Sequence, residues 1–300
     1  MSTEQKITYC LWFNKKAEDI ATFYTSIFKN STLNTVQRNP IDTPSGDKGT
    51  VLTANFTIEG NHFMALNGGP DFKLHNSVSF FLHSDSPDEI DELWQKFADG
   101  GNVFMPLDKY PFSDKYGWIQ DKFGLSWQLM LNNPEFEKRP RLMPSLLFEE
   151  KLYGKAEEAI HFYLSIFDDS KIGMMEKYPA GMEPDQEGKI MYGDFMLANQ
   201  WFAIMESAHD HSFEFNEAFS FVVHCDTQEE VDHFWYKLSN GGKELQCGWL
   251  KDKYGVTWQI IPKIMIQLFE NADREKAKRA MKAMMTMVKL DIKKLEEAAG

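Results

Sequence analysis

The sequence predicts an α+β protein in which one domain occurs twice and is followed by an amphipathic helix. Three observations carry this prediction: matching segments that recur in one order, alternating strand and helix patterns within each copy, and an apolar stripe in the last part of the chain. The chain has 300 residues, which at the usual size of roughly 150 residues per domain is enough for two domains.

The duplication consists of segments that return in the same order. A helix-like segment at 17–28 returns at 156–167, and both copies end in Phe-Tyr-x-Ser-Ile-Phe. Further matches are 79–85 with 220–226, Gly100–Gly101 with Gly241–Gly242, and 117–128 with 248–259. Chance does not preserve such an order, so the two copies are expected to share one fold.

The first half of each copy reads as strand, helix and further strands. In the first copy an apolar strand at Ile7–Phe13 precedes a helix at Ala17–Phe28, whose apolar residues recur at helical spacing. Strands at 50–58 and 62–67 flank Glu59-Gly60-Asn61, which is a hairpin signal. The pattern is therefore βαβββ.

The second half of each copy repeats that βαβββ pattern. A buried strand at 78–82 is followed by a helix that begins at Pro87, because proline and acidic residues suit the first turn. Gly100–Gly101 ends this helix, and Asp121–Gly124 forms a tight turn before the last strand. Pro134 and Pro140 interrupt the pattern, which places the domains at 1–135 and 141–263.

Residues 264–300 are predicted to form the closing amphipathic helix, with Asp273 as a plausible N-cap. Packing against the chain's own domains is the first expectation for its apolar stripe, and a dimer contact is the second. The stripe consists of Ala277, Met281, Met284, Val288, Ile292 and Leu295.

Composition excludes several classes of function. The net charge of −13 argues against nucleic acid as a partner, because that affinity depends on Lys and Arg neutralising phosphates. No apolar run is long enough for a membrane helix, and the polar start does not resemble a signal peptide. Cys10, Cys225 and Cys247 have no CxxC spacing, so they predict neither a disulfide framework nor a zinc knuckle. The expected location is the cytoplasm.

Several short motifs, taken in order, resemble one known superfamily. They are Leu11-Trp12-Phe13, Ala17-Glu18 with Phe23-Tyr24, Leu66-Asn67-Gly68-Gly69-Pro70, 248–255 with Trp258-Gln259, and the tail segments 273–277 and 287–292. The chain resembles the vicinal-oxygen-chelate superfamily of glyoxalase I, bleomycin-resistance proteins and extradiol dioxygenases. Within it, the motifs are similar to the PhnB-like branch, often labelled 3-demethylubiquinone-9 3-methyltransferase.

This resemblance implies two tandem vicinal-oxygen-chelate domains, each of two βαβββ modules that form a cup-like curved sheet. It also implies that the two copies pair as an intrachain pseudo-dimer, with a homodimer as a further possibility. The methyltransferase label is judged not to describe an activity. Binding S-adenosylmethionine usually requires a glycine-rich turn that opens a helix, whereas Gly68-Gly69-Pro70 leads into a loop.

In metal-dependent relatives, the resemblance places ligands on four strands of the cup. The matching positions here are Tyr9, Asn67, Ser79 and Gln128 in the first copy, and Ser145, Glu206, Ser220 and Gln259 in the second. Most are neutral amides and hydroxyls, which hold transition metals weakly, so no cofactor is expected. The alternative is a divalent metal held by Glu206 with His209 or His211, although the run 206–211 also reads as a solvated loop.

The expected function is the binding of a small organic molecule in a mixed polar and apolar cup. Gln128 and Gln259 repeat at one position of the last strand and need hydrogen-bond partners if buried. Trp12, Trp118 and Trp249 complete the expected ligand-binding set. Two alternatives stay open: a metal-dependent lyase, isomerase or dioxygenase acting in the second domain, and a structural or sequestering protein. Motifs for a serine nucleophile, a phosphate loop or a dinucleotide site are missing from the sequence.

Overall fold

The computed structural model describes residues 5–43, 46–135, 137–209, 211, 213–269 and 273–300. The first repeat contains two βαβββ modules, as the sequence predicts. The first module is β1 (Ile7–Phe13), α1 (Ala17–Ile27), β2 (Ser31–Arg38), β3 (Val51–Ile58) and β4 (Asn61–Asn67). The second module is β5 (Val78–Ser84), α2 (Pro87–Ala98), β6 (Asn102–Tyr110), β7 (Ser113–Gln120) and β8 (Ser126–Leu131).

The second repeat has the same order of elements, with a shorter hairpin near its end. Its first module, the third of the chain, is β9 (Leu142–Phe148), a 3₁₀ turn (Glu150–Leu152), α3 (Ala156–Leu164), β10 (Lys171–Lys177), β11 (Ile190–Leu197) and β12 (Gln200–Glu206). Its second module, the fourth of the chain, is β13 (Phe219–Cys225), α4 (Gln228–Leu238), β14 (Lys243–Glu244), β15 (Trp249–Lys251) and β16 (Thr257–Pro262).

The strands form two eight-stranded sheets, which confirms the predicted fold class. One sheet has the order β14-β15-β16-β13-β1-β4-β3-β2, and the other has the order β10-β11-β12-β9-β5-β8-β7-β6. The modules within a sheet are joined by antiparallel pairs, β1 with β13 and β5 with β9. Each sheet therefore combines one module from each sequence repeat.

The compact units consequently divide the chain differently from the repeats. One unit comprises residues 1–73 and 215–300, and the other comprises residues 74–214. The domain bounds at 135 and 141 describe the repeats of the sequence. The apolar pattern of β1 matches that of β9, so β5 and β13 offer equivalent edges to either strand. For this reason the pattern alone does not select the partner.

Helices α1 to α4 cover one face of each sheet with aromatic side chains. Phe97 of α2 stacks on Trp127 of β8 at 4.8 Å, and Tyr24 of α1 stacks on Phe56 of β3 at 6.0 Å. The predicted turn after β7 is tied to this core, because the Trp127 indole N–H donates to Asp121 at 2.8 Å. Asp252 accepts the Trp258 N–H at 2.9 Å in the same way. The opposite face of each sheet is called the cup face below.

The tail differs from the single helix that the stripe predicts. Its described residues form three helices: α5 (Lys263–Phe269), α6 (Arg274–Met285) and α7 (Ile292–Ala299). Asp273 does cap α6, accepting from the backbone N–H of Glu275. After Met285 the chain leaves the helix, and the carbonyl groups of Met287 and Val288 accept from the backbone N–H groups of Cys247 and Gly248 in the turn before β15. Asp291 then caps α7.

In the described part of the chain, every helix is too short or too polar to span a membrane.

Candidate functional site

The two cup faces are lined by different residues. The aromatic cup, in the unit of residues 74–214, is built on buried Phe81, Tyr116, Trp118, Met143, Leu147 and Ala203. The tail-covered cup, in the other unit, is built on buried Cys10, Val222, Ile261 and Leu290, and Leu290 belongs to the tail. These two names are kept below.

The floor of the aromatic cup carries an oriented chain of hydrogen bonds. The Tyr116 hydroxyl donates to Gln128 Oε1 at 2.6 Å, and Gln128 Nε2 donates to Ser79 Oγ at 2.8 Å. Trp118 Nε1 donates to Ser126 Oγ at 2.7 Å beside this chain. Burial raises the pKa of Tyr116, so its hydroxyl remains a donor at neutral pH. The expected need of Gln128 for partners is thus met within the floor.

Ser145 lies at the centre of the same floor. It stands directly opposite Ser79 in the pairing of β5 with β9, and its side chain is fully buried. Its Oγ is the one buried side-chain N or O atom among the described residues that has no hydrogen-bond partner. An unsatisfied buried polar atom costs about 1–3 kcal/mol, so its presence calls for an explanation.

Cys10 occupies the matching position of the tail-covered cup, opposite Ser220 in the pairing of β1 with β13. Burial raises the pKa of the Cys10 thiol to about 12, although hydrogen bonds with Gln259 and Ser220 act in the opposite direction. Gln259 Nε2 also donates to Ser220 Oγ at 2.9 Å. Gln259 and Ser220 therefore bond to each other beside the buried thiol.

A buried ion pair borders the aromatic cup. Arg139, from the segment between the repeats, donates from Nε to Asp194 Oδ2 at 2.8 Å and from Nη2 to Oδ1 at 3.2 Å. The exposed fraction of the Asp194 side chain is 2%, and Met174 N donates to Oδ1 at 2.7 Å. The guanidinium lies 4.1 Å from the centre of the Trp201 ring, which adds a cation–π contact.

His83 of β5 is a wall residue of this cup. Its Nδ1 lies 2.9 Å from the carbonyl oxygen of Pro140, and its ring stacks on Phe81 at 5.7 Å. Burial lowers the pKa of His83 first of all, although the bond to Pro140 acts against it. His83 is therefore neutral at pH 7 and donates from Nδ1.

The tail-covered cup is filled by the chain's own C-terminal segment. Met265, Met284 and Met287 pack against Cys10, Val222 and Ile261 together with the fully buried Leu290. Gln228 holds the segment on both sides, donating to the Leu290 carbonyl at 3.3 Å and accepting from Ile292 N at 2.9 Å. Lys289 pairs with Asp232 at 2.6 Å. The tail thus covers this cup face.

A shortened hairpin explains why the tail fits there. In the first repeat, 18 residues from Gly101 to Trp118 build most of β6 and β7, whereas 8 residues from Gly242 to Trp249 bridge the same points in the second. Cys247 N and Gly248 N then donate to the carbonyls of Met287 and Val288, each at 2.8 Å. The tail thus supplies hydrogen-bond acceptors for backbone N–H groups beside the shortened hairpin.

The sequence-predicted ligand-binding residues separate into three groups. Ser79, Trp118, Gln128 and Ser145 meet in the aromatic cup. Trp12, Ser220, Trp249 and Gln259 lie on the tail-covered cup face, where the Trp12 and Trp249 rings meet edge to face at 6.1 Å. Tyr9, Asn67 and Glu206 point to the helix-covered side of their sheets.

Tyr9 packs behind its sheet, with its ring centre 5.0 Å from that of Phe63. Because strand side chains alternate, its neighbour Cys10 takes the cup-face position. Asn67 and Glu206 each bind the first turn of a helix, α1 and α3 respectively. Asn67 Oδ1 accepts from Ala17 N at 3.0 Å, and Glu206 Oε1 accepts from Ala156 N at 2.8 Å. Glu206 Oε2 accepts from Ile190 N at 2.7 Å, so both carboxylate oxygens serve the fold.

The donors present fit a divalent metal poorly. The aromatic cup floor offers the neutral oxygens of Ser79, Gln128 and Ser145, which suit transition metals weakly. His211 Nε2 lies 2.9 Å from Ser207 Oγ, and the exposed His209 faces Asp185 at 3.9 Å. Asp210, within the same run, lies outside the described residues. Across the described ranges, no three His, Cys, Asp or Glu side chains are grouped to hold a metal.

Several residues of the aromatic cup were not singled out from the sequence. Tyr192 and Asp194 are two residues apart in β11, so both side chains lie on the cup face. The alternation of side chains along a strand could have indicated this position from the sequence. Arg139 stood in the predicted linker, where a charge reads as solvated. Tyr116 lies in β7, one residue before the repeated segment that begins at Gly117.

Comparisons with known proteins agree with this architecture. The model of the family described as 3-demethylubiquinone-9 3-methyltransferase matches residues 5–130 and 140–261. A PhnB protein from Bacillus cereus is 40% identical over 43% of this chain and 100% of its own, with a TM-score of 0.40. Glyoxalase I from Zea mays is 11% identical, covers 89% of this chain and 98% of its own, and has a TM-score of 0.53.

At 11% identity, the similarity to glyoxalase I is evidence for the fold only. No curated protein matches the chain. The family model matches the chain twice, once over each repeat, as expected for a duplicated domain. The chain therefore belongs to the family described as 3-demethylubiquinone-9 3-methyltransferase, with two PhnB-like copies on a glyoxalase-like fold.

Proposed function

We propose that the chain binds one small organic molecule in the aromatic cup. The observation that carries the proposal is the contrast between Ser145 and Cys10. Cys10 carries a thiol, which behaves as a small apolar group when buried, and it lies beneath the tail, whereas the buried Ser145 Oγ has no hydrogen-bond partner. A ligand that reaches Ser145 would remove the cost of that unsatisfied atom, which favours the bound state.

The walls of the aromatic cup suit an organic ligand. Its floor mixes Gln128 and Ser79 with apolar and aromatic side chains, which is the usual composition of small-molecule sites. Met130, Met143 and Met205 lie on the same cluster. Gln128 and Ser145 are buried, and the proposal therefore requires these adaptable methionine side chains to rotate when a ligand enters.

The proposal does not include methyl transfer. Gly68-Gly69-Pro70, the glycine pair that follows β4, leads into an irregular segment before β5. S-adenosylmethionine sites commonly use a glycine-rich turn at the start of a helix, where the backbone can approach the ligand. The proposal also includes no metal, because the floor donors are neutral and Glu206 is committed to α3 and β11.

A matched pair of glutamines tests the proposal. A library of small organic molecules is screened by thermal shift, and hits are measured by calorimetry on the full chain and on Gln128→Leu and Gln259→Leu. Gln128→Leu should weaken binding of the hits at least tenfold, because the floor loses its polar centre. Gln259→Leu should retain the affinity, because this residue lies with Cys10 under the tail.

The expected stoichiometry is one molecule per chain. A ligand at 100 times its dissociation constant adds about 2.7 kcal/mol to the free energy of unfolding, which is readily detected. Hits that respond to Gln259→Leu and not to Gln128→Leu would contradict the proposal. A library without any hit would favour a structural role.

We also infer a cytoplasmic location. The three cysteines are free, and Cys10 and Cys225 are buried. Free thiols are usual in a reducing compartment. Fractionation of cells against a cytosolic marker tests this, and recovery with a secreted or membrane marker would contradict it.

A further inference from the structure

We infer that the ligand of the aromatic cup is a neutral, planar aromatic molecule whose carbonyl oxygen accepts hydrogen bonds from Ser145 and Ser79. The inference rests on the proposed function and adds to it the class of ligand. Three independent features of the cup support it: the direction of its hydrogen bonds, the pairing of its buried charges, and the identity of its wall residues.

The direction of the floor hydrogen bonds indicates a ligand that accepts. Tyr116 donates to Gln128, and Gln128 donates to Ser79, so the chain of donors ends at the Ser79 hydroxyl. Ser79 uses its oxygen as an acceptor, which leaves its own proton to donate. Ser145 stands opposite with a free hydroxyl, and Cβ atoms of such facing residues are about 4.5–5.5 Å apart. Two hydroxyl donors side by side suit one oxygen with two lone pairs.

The buried charges near this cup are already paired. Asp194 is held by Arg139 and by Met174 N, and Glu149 at the end of β9 accepts from His211 N and Phe213 N. His83 is kept neutral by burial. An ionised ligand group would lose its hydration on this floor without gaining a counter-ion, which costs several kcal/mol in effective terms. The floor therefore favours a neutral ligand.

At three matched positions the walls of this cup are aromatic and those of the tail-covered cup are not. The aromatic cup places Phe81, Tyr116 and Tyr192 at positions that are Val222, Cys247 and Thr53 in the tail-covered cup. Five more aromatic residues complete or border its cluster: Phe104, Tyr110, Trp118, Trp201 and Phe213. Aromatic rings pair with other rings in offset or edge-to-face geometry, which selects a flat aromatic body.

Three related compounds test the class of ligand directly. They are 1-indanone, which is flat, neutral and carries a carbonyl; indane, which lacks the oxygen; and indane-5-carboxylate, which is charged. Dissociation constants are measured by ligand-observed NMR on the full chain, on Ser145→Ala, and on Cys10→Ala as the matched control from the tail-covered cup. We expect 1-indanone to bind about tenfold more tightly than indane, and the carboxylate to bind more weakly than both.

Ser145→Ala should weaken 1-indanone about five- to tenfold and leave indane unchanged, because indane makes no hydrogen bond. Cys10→Ala should leave all three affinities unchanged. Equal binding of 1-indanone and indane, or no response to Ser145→Ala, would overturn the carbonyl assignment. Preference for the carboxylate would overturn the neutral assignment.

Failure of the inference and failure of the proposed function give different results. If none of the three compounds binds at several millimolar while library hits still depend on Gln128, the class of ligand is wrong and the site stands. If no library compound depends on Gln128, the site itself is wrong.

Discussion

Ser145 and Cys10 occupy the same position in two related cups, but only Ser145 places a hydroxyl there that requires a hydrogen bond. Cys10 is a buried thiol beneath a tail that contributes Leu290, whereas Ser145 Oγ is buried without a partner. The two cups, each built from one module of either repeat, thus differ in what they have available for other molecules.

The first prediction concerns stability without ligand. Ser145→Ala should raise the free energy of unfolding by up to about 1 kcal/mol, because it removes a buried hydroxyl that has no partner. Ser79→Ala should lower it by about 1–2 kcal/mol, because Gln128 Nε2 loses its acceptor. Urea denaturation of both variants measures the difference. A loss of more than 1 kcal/mol in Ser145→Ala would show that its hydroxyl is satisfied in the folded chain.

The second prediction concerns the buried ion pair. Arg139→Met should lower the free energy of unfolding by about 3–5 kcal/mol, because Asp194 is left charged and buried. The double variant Arg139→Met with Asp194→Leu should recover much of this loss, because no charge is then buried. A double-mutant cycle by urea denaturation measures the coupling. Additive effects of the two changes would argue against a coupled pair.

The third prediction concerns the tail. Leu290→Ala should lower the free energy of unfolding by about 2–4 kcal/mol, because it leaves a cavity against Cys10 and Val222. Val288→Ala, whose side chain is exposed, should change it by less than about 0.5 kcal/mol. Thermal and urea unfolding compare the two. Equal, small effects would mean that the tail leaves the cup in solution.

The fourth prediction concerns pH. Burial holds the pKa of His83 below the value of 6.5 that it has when unfolded, so the unfolded chain binds the extra proton first. This contribution to stability is present above pH 6.5 and is lost as the pH falls toward the lower pKa of the folded state. His83→Gln should therefore flatten the decline in stability below pH 6.5. Identical pH profiles for His83→Gln and the unaltered chain would contradict this.

Much of the fold followed from the sequence because periodicity and turn chemistry are local. The strand at Ile7–Phe13 and the turn at Asp121 were predicted within a residue or so. The pairing of β1 with β13 was not, because β5 and β13 present equivalent patterns to it. The tail after Met285 bonds to Cys247 and Gly248, which are distant in sequence.

The site was predicted in part for the same physical reasons. Gln128 stood out because Gln259 repeats it on the last strand, Ser79 was chosen through the resemblance, and the two are joined by a hydrogen bond. Tyr9 was chosen instead of Cys10, because a shift of one residue reverses the face of a strand. The contribution of Arg139 depends on Asp194, 55 residues away, and no local pattern joins them.

The most direct test of the central claim is fluorine NMR of the chain labelled with 5-fluorotryptophan, titrated with 1-indanone. Trp118 lines the aromatic cup and Trp249 packs on the tail-covered cup, and the variants Trp118→Phe and Trp249→Phe assign their signals. Ligand binding in the aromatic cup predicts that the Trp118 signal shifts and saturates at one molecule per chain while the Trp249 signal stays in place. A shift of Trp249 alone, or of both signals with two molecules per chain, would contradict the account.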